Sequence, residues 1–113
     1  NLFMNNNGYR IVVDAGHGGS DPGAVSGNLR EKDFTLEAAN YMYNRFKDLG
    51  VPVAITRTTD ETLSRAERLG TMTNSFGNDS KVIVLSNHIN AGGVMHCHYT
   101  NKKYNPLQDK IIV

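Results

Sequence analysis

Residues 9–19, which read YRIVVDAGHGG, give the clearest indication of the fold. Residues 9–14 form an apolar run rich in β-branched side chains, and the next five positions contain three glycines. A short apolar run that ends in a glycine-rich turn is typical of a buried strand followed by a tight turn. We therefore predict a strand over residues 9–14, with His17 in the turn that leaves it.

Strand and helix patterns alternate downstream of a polar loop predicted over residues 20–29. Strands are predicted at residues 51–56 and 81–86, and the helix between the first two strands ends at Gly50 and Pro52. The second helix begins at one of two capping boxes, formed by Thr58 with Glu61 or by Ser64 with Glu67. The buried helix faces are predicted to contain Phe34, Ala38, Tyr41, Met42, Arg45, Phe46 and Leu49 in the first helix, and Ala66, Leu69, Thr73 and Phe76 in the second. This alternation predicts a single α/β domain in which helices flank a mostly parallel sheet.

The sequence divides into three parts. Residues 1–8 are rich in asparagine and are predicted to be a leader or linker, and residues 9–93 carry the α/β pattern. Residues 94–113 show no clear periodicity before Ile111, so we predict a tail of undefined structure there.

The composition excludes several classes of partner. Twelve Lys and Arg residues against eleven Asp and Glu leave a formal net charge of +1, which gives no reason to expect nucleic acid or an anionic membrane as partner. The apolar runs are far shorter than the ~20 residues of a membrane span. No secretion signal follows the first asparagine, so we expect any signal to lie outside this sequence. The single cysteine leaves the redox compartment open, and the oligomeric state is also open.

Two histidines and one glutamate are candidate metal ligands. His17 follows the first predicted strand and His88 follows the third, and parallel strands end at the same sheet edge. Glu31 stands at the start of the first helix, across the loop that leaves this edge. Two imidazoles, one carboxylate and an open fourth position are typical of a catalytic zinc site. Alternatively, the histidines are solvated loop residues and Glu31 is an anion that favours a helix N-terminus. Asp14 either orients His17 or caps the turn.

Four motifs resemble the Amidase_3 family of zinc-dependent N-acetylmuramoyl-L-alanine amidases. They are IVVDAGHGGSDPGA at residues 11–24, REKD at 30–33, TR at 56–57 and SNHINA at 86–91. The resemblance extends from Arg10 to about Gly93 and implies that His17, Glu31 and His88 bind zinc. It also implies that the substrate is the amide between N-acetylmuramic acid and L-alanine in peptidoglycan, and that the enzyme acts outside the cell or in the cell wall.

Further polar residues are candidates for substrate binding. Asn87 and Asn90 flank His88, and Arg57 has the geometry to bind a peptide carboxylate by two hydrogen bonds. Arg65 and Arg68 offer the same chemistry, although solvated arginines are the commoner case. His96, Cys97 and His98 suggest a second metal site, but a surface loop is the preferred interpretation because two further ligands are missing.

The sequence departs from the family after the third histidine motif. Family members carry a late glutamate that transfers protons, whereas no glutamate follows Glu67 here and Asp109 is the one acidic residue in the tail. The catalytic proton-transfer residue is therefore unassigned. We expect a domain that lacks the C-terminal part of the family fold, in which the third strand forms an exposed sheet edge or has an uncovered apolar face. We also expect this chain to hydrolyse peptidoglycan weakly or not at all. The alternative function is a remnant that binds zinc and peptidoglycan without cleaving it.

Overall fold

A computed structural model of the chain describes residues 8–77 and 80–89, together with the backbone of residues 95–101 and 110–112. The predicted leader lies outside these ranges except for Gly8. The elements, in chain order, are β1 (Arg10–Ala15), β2 (Val25–Ser26), β3 (Leu29–Arg30), α1 (Glu31–Asp48), β4 (Val53–Ile55), α2 (Arg65–Asn74), β5 (Val82–Ile89), β6 (Met95–Asn101) and β7 (Lys110–Ile112). Within these ranges, neither helix combines the length and the apolar character that crossing a bilayer requires.

The main sheet has the strand order β4-β1-β5-β6-β7. Strands β4, β1 and β5 run parallel, which confirms the predicted parallel sheet for the three strands read from the sequence. Strands β6 and β7 join the sheet in antiparallel orientation.

Strand β5 is therefore not a sheet edge, and that prediction is wrong. Its pairing with β6 extends from Ile83 opposite Asn101 to Ile89 opposite Met95. The antiparallel strand takes up the backbone groups that an edge strand leaves unpaired. The part of the predicted tail that the structure describes thus continues the sheet of the α/β unit.

The two helices cover opposite faces of the sheet. Alternate residues of β1 point to opposite sides, so Ile11 and Val13 pack in one cluster with Ala39 of α1, whereas Val12 packs in a second cluster with Met72 of α2. This arrangement confirms the predicted fold class and leaves the carboxyl ends of β1 and β5 side by side.

The predicted helix faces are confirmed in part. Met42, Phe46 and Leu49 of α1, and Leu69 and Phe76 of α2, pack against the two apolar clusters as predicted. In α1 the fully buried inner positions include Thr35 and Ala39, while Tyr41 is 68% exposed and Phe34 also lies on the outside. Apolar spacing misplaced the first half of this face because the first turns of α1 pack against the polar turn after β1, where the Thr35 hydroxyl donates to the Gly16 carbonyl.

The second helix begins at the second of the two predicted capping boxes. Ser64 accepts from the amide of Glu67, and the Glu67 carboxylate accepts from the amide of Ser64. Met72 is the buried residue of α2, and Ala66 is exposed. Arg68, one turn before Met72, pairs with Asp14 at the end of β1.

Candidate metal centre

The structure brings His17, Glu31 and His88 together at one end of the parallel strands. Their ligand atoms all lie within 4.8 Å of one another. Glu31 Oε2 lies 3.1 Å from His17 Nε2 and 3.3 Å from His88 Nδ1. The two imidazole rings are nearly perpendicular, with centroids 5.1 Å apart. One carboxylate oxygen thus faces a ring nitrogen from each histidine.

His88 lies within β5, which continues to Ile89, and not beyond the strand as predicted. The longer strand follows from its pairing with β6, in which His88 lies opposite His96. Gly16 makes room for the His88 ring, because a Cβ at this position would lie 2.6 Å from both His88 Cε1 and the Asn87 carbonyl oxygen. The glycine after β1 therefore allows the two histidines to approach each other.

His17 adopts a left-handed backbone conformation, with φ of +62°. Its Nδ1 lies 2.8 Å from Asp21 Oδ2, which leaves Nε2 to face Glu31. The hydrogen bond from His17 lowers the pKa of Asp21, so this carboxylate stays ionised and accepts from Nδ1. Sequence reasoning missed Asp21, although a carboxylate four residues after a candidate ligand, in a turn containing Pro and Gly, was an available signal.

Asp14 does not orient the His17 side chain. Its buried carboxylate accepts hydrogen bonds from the Thr56 and Ser86 hydroxyls and pairs with Arg68. These contacts of Asp14 therefore support neither of its two predicted roles, and they hold the end of β1 to the residues that follow β4, to β5 and to α2.

Glu31 is the first residue of α1 and its side chain is only 4% exposed. Oε1 accepts from the amide of Ala24, and Oε2 accepts from the amide of Ile89, at 2.9 and 2.8 Å. Burial opposes ionisation of this carboxyl, but the two amides and the nearby His17 and His88 outweigh it and lower the pKa of Glu31. The site therefore contains a fixed negative charge between two imidazoles.

The residues that place Ala24 beside Glu31 belong to a small hairpin in the region predicted as a loop. Strands β2 and β3 pair with Val25 opposite Arg30, directly before α1. Gly23 leads into this hairpin with φ of +68°, and a Cβ there would lie 2.6 Å from Glu31 Oε1 and 2.7 Å from His17 Cδ2. The hairpin thus passes the ligand set at a distance that only glycine permits.

The site is accessible from one side. The side chains of His17 and His88 are 27% and 37% exposed, in contrast to the buried Glu31. Burial lowers the pKa of His88, which keeps the imidazole neutral at neutral pH. Two imidazoles and a carboxylate are a donor set that suits a divalent zinc ion, and the two rings are partly exposed on the accessible side.

Arg57 and Asn87, predicted as substrate contacts, are corrected by the structure. They are 2% and 1% exposed. Arg57 donates to backbone carbonyls, and the Asn87 amide donates to the Asp14 carbonyl, so neither side chain faces solvent where a substrate could reach it. Asn90 and the side chains of His96, Cys97 and His98 lie outside the described residues.

Sequence comparison places the chain among known proteins. The family model described as N-acetylmuramoyl-L-alanine amidase matches residues 11–109. Similar relatives include the N-acetylmuramoyl-L-alanine amidase CwlM of Bacillus licheniformis, 42% identical over 88 residues, and the sporulation-specific N-acetylmuramoyl-L-alanine amidase of Bacillus subtilis, 39% identical over 88 residues. Each alignment covers 74% of this chain and 32% of the relative. The probable cell wall amidase LytH of Staphylococcus aureus is 42% identical over 64 residues, which cover 54% of this chain and 22% of LytH. The chain thus spans about a third or less of the length of these relatives.

Comparison with solved structures also finds similarity to N-acetylmuramoyl-L-alanine amidases. The N-acetylmuramoyl-L-alanine amidase from Clostridium difficile 630 superposes with a TM-score of 0.65 and 32% identity, covering 74% of this chain and 45% of that one. The catalytic domain of the amidase CwlV from Bacillus (Paenibacillus) polymyxa superposes with a TM-score of 0.63 and 33% identity, covering 73% and 45%.

Proposed function

The chain belongs to the Amidase_3 family of N-acetylmuramoyl-L-alanine amidases, and from this membership we propose that it hydrolyses the amide between N-acetylmuramic acid and L-alanine in peptidoglycan. The family resemblance read from the sequence motifs is confirmed, although the family match continues to residue 109 and not only to about Gly93 as predicted. The observation that carries the proposal is the convergence of His17, Glu31 and His88, three residues from separate elements, at one accessible point of the sheet edge. Because peptidoglycan is the substrate, the proposed site of action is the cell wall or its extracellular surroundings.

The proposed ligands are His17 through Nε2, His88 through Nδ1 and Glu31 through its carboxylate. These are the atoms that face one another in the structure. Zinc bound by such a set polarises a carbonyl oxygen and lowers the pKa of a coordinated water toward ~7.

The surrounding residues hold these ligands in place. Asp21 accepts from His17 Nδ1 and so selects the tautomer that offers Nε2. The amides of Ala24 and Ile89 bind the two oxygens of Glu31, which suits this carboxylate to a fixed ligand role and not to shuttling protons. The substrate amide reaches the site along the exposed edges of the His17 and His88 rings.

Digestion of purified peptidoglycan by the zinc-loaded chain tests this function. We expect new amino groups belonging to L-alanine, and their loss when His88 is replaced by alanine. Exposed Glu37→Gln on α1 is the control and is expected to retain the rate.

Three outcomes of the digestion are informative. Release of reducing sugar ends, or cleavage elsewhere in the peptide, would contradict the proposed bond. Zinc-loaded chain that sediments with peptidoglycan and yields no product would instead support the binding remnant.

The affinity for zinc is expected to depend on pH. Zinc requires neutral imidazoles, and the pKa of an unperturbed histidine is ~6.5. Burial lowers the pKa of His88, so protons compete for this ring only at more acidic pH than for a free histidine. We expect a nearly constant affinity from pH 8 to 7 and a steep fall below about pH 6. A competition titration that gives one affinity from pH 8 to pH 5 would exclude histidine ligands.

A further inference from the structure

Two arginines converge on the backbone of the turn that carries His17. Arg57, which follows β4, donates from Nε to the His17 carbonyl at 2.8 Å and from Nη2 to the Gly16 carbonyl at 3.0 Å. Arg68 of α2 donates to the carbonyls of Ala15 and His17, at 2.6 and 2.9 Å. Three successive carbonyl oxygens therefore accept hydrogen bonds from guanidinium groups.

The geometry of these contacts fixes the His17 backbone from both sides. The Gly16 carbonyl belongs to the peptide plane before the His17 Cα, and the His17 carbonyl belongs to the plane after it. Because a peptide group is planar, holding both oxygens holds both φ and ψ of His17. The left-handed conformation thus maintained is unfavourable for a non-glycine residue, so it needs such support.

The guanidinium of Arg57 is itself immobilised. The side chain is buried and also donates to the carbonyls of Lys32 and Thr59, each within 3.0 Å. Its contacts therefore connect the turn after β1 to the first turn of α1, next to Glu31.

Arg68 is held by a second set of contacts. It pairs with Asp14, and the Asp14 carboxylate also accepts from the Thr56 and Ser86 hydroxyls. Asp14 thereby links Arg68 of α2 to β1, which precedes the turn that carries His17, and to β5, which contains His88.

We propose that Arg57 and Arg68 are positioning residues of the metal centre, which set its affinity for zinc by fixing the backbone of His17 without contacting the ion. This inference rests on the proposed function. Arginine suits the task because its rigid, planar set of donors binds two carbonyls at once, whereas a lysine offers a single point of charge.

The test separates positioning from a general loss of stability. Arg68→Met removes the donors to Ala15 and His17. Asp14→Asn breaks the charge pair but leaves Arg68 its carbonyl contacts, because an asparagine amide can donate to Ser86 and its oxygen can accept from Arg68. Arg65→Met, at an exposed position of the same helix, is the control. Zinc affinity of each full chain is measured by chelator competition at a temperature where circular dichroism shows it folded.

We expect Arg68→Met to weaken zinc binding by about tenfold or more, the low end of the range for groups that support metal ligands. We expect Asp14→Asn to change the affinity by less than about threefold despite a lower melting temperature, and Arg65→Met to change neither. Should Arg68→Met not fold, Arg68→Lys keeps the charge beside Asp14 and is expected to show the same loss of affinity.

Two results would overturn the inference in distinguishable ways. If the Arg68→Met or Arg68→Lys variant binds zinc as tightly as the unchanged chain, or loses no more zinc affinity than the Asp14→Asn variant, Arg68 has only a structural role. If the unchanged chain binds no zinc, the proposed function fails as well.

Discussion

Replacing His88 or His17 by alanine is expected to lower the affinity for zinc more than 100-fold. Each change deletes one of three protein ligands. The loss of zinc affinity should therefore exceed the about 10- to 100-fold loss that follows when a residue supporting a metal ligand is changed. The measurement is a competition titration with a chelator, supported by the metal content of the purified variants. His98→Ala, the same change in the tail, is the control and is expected to retain the affinity.

The folded state must survive these changes for the comparison to hold. Both histidines are partly exposed and lie at the rim of the sheet, away from the two apolar clusters. We therefore expect circular dichroism spectra like that of the unchanged chain without metal. Retention of zinc by both variants, or loss of zinc in His98→Ala, would place the metal elsewhere.

The second large effect is expected from Gly23→Ala, a substitution that adds one methyl group beside the ligands. The new Cβ would lie 2.6 Å from Glu31 Oε1 and 2.7 Å from His17 Cδ2, so both ligands must shift. We expect zinc affinity to fall by about 10- to 100-fold. The measurement is again a competition titration with a chelator, made on variants whose folding has been checked by circular dichroism.

Gly27→Ala is the matched control for this substitution. Gly27 lies in the same hairpin region with a similar positive φ of +59°, but a Cβ there meets nothing within 4 Å. Alanine imposes a comparable backbone cost of about 1 to 2 kcal/mol at both positions. Equal losses of affinity in the two variants would show that backbone strain, and not displacement of Glu31 and His17, explains the effect.

Local signals in the sequence were enough to predict the parallel part of the sheet and the three converging residues. The apolar run before His17 and the one before His88 identify two strands, and parallel strands bring their carboxyl ends to one edge whatever the detailed packing. Ser64 with Glu67 shows how a helix start can be read from four residues.

Features set by distant contacts could not be predicted in this way. The spacing of Arg57 and Arg68 gives no sign that both turn inward, because their acceptors are backbone carbonyls about 40 to 50 residues earlier. The pairing of β6 with β5 was missed because residues 94–101 lack strict alternation. The inner face of α1 was predicted correctly at Met42, Phe46 and Leu49, but its first turns were misplaced because they are polar and pack against the turn that carries His17.

The most direct test of the metal centre is zinc-edge X-ray absorption on the chain loaded with one equivalent of zinc. We expect the atoms that coordinate the zinc to be nitrogen and oxygen from two imidazoles and a carboxylate, with no sulfur. The same spectrum from His88→Ala is predicted to lose one imidazole. A sulfur ligand in the unchanged chain would implicate Cys97, the sole cysteine, and would contradict the assignment to His17, Glu31 and His88.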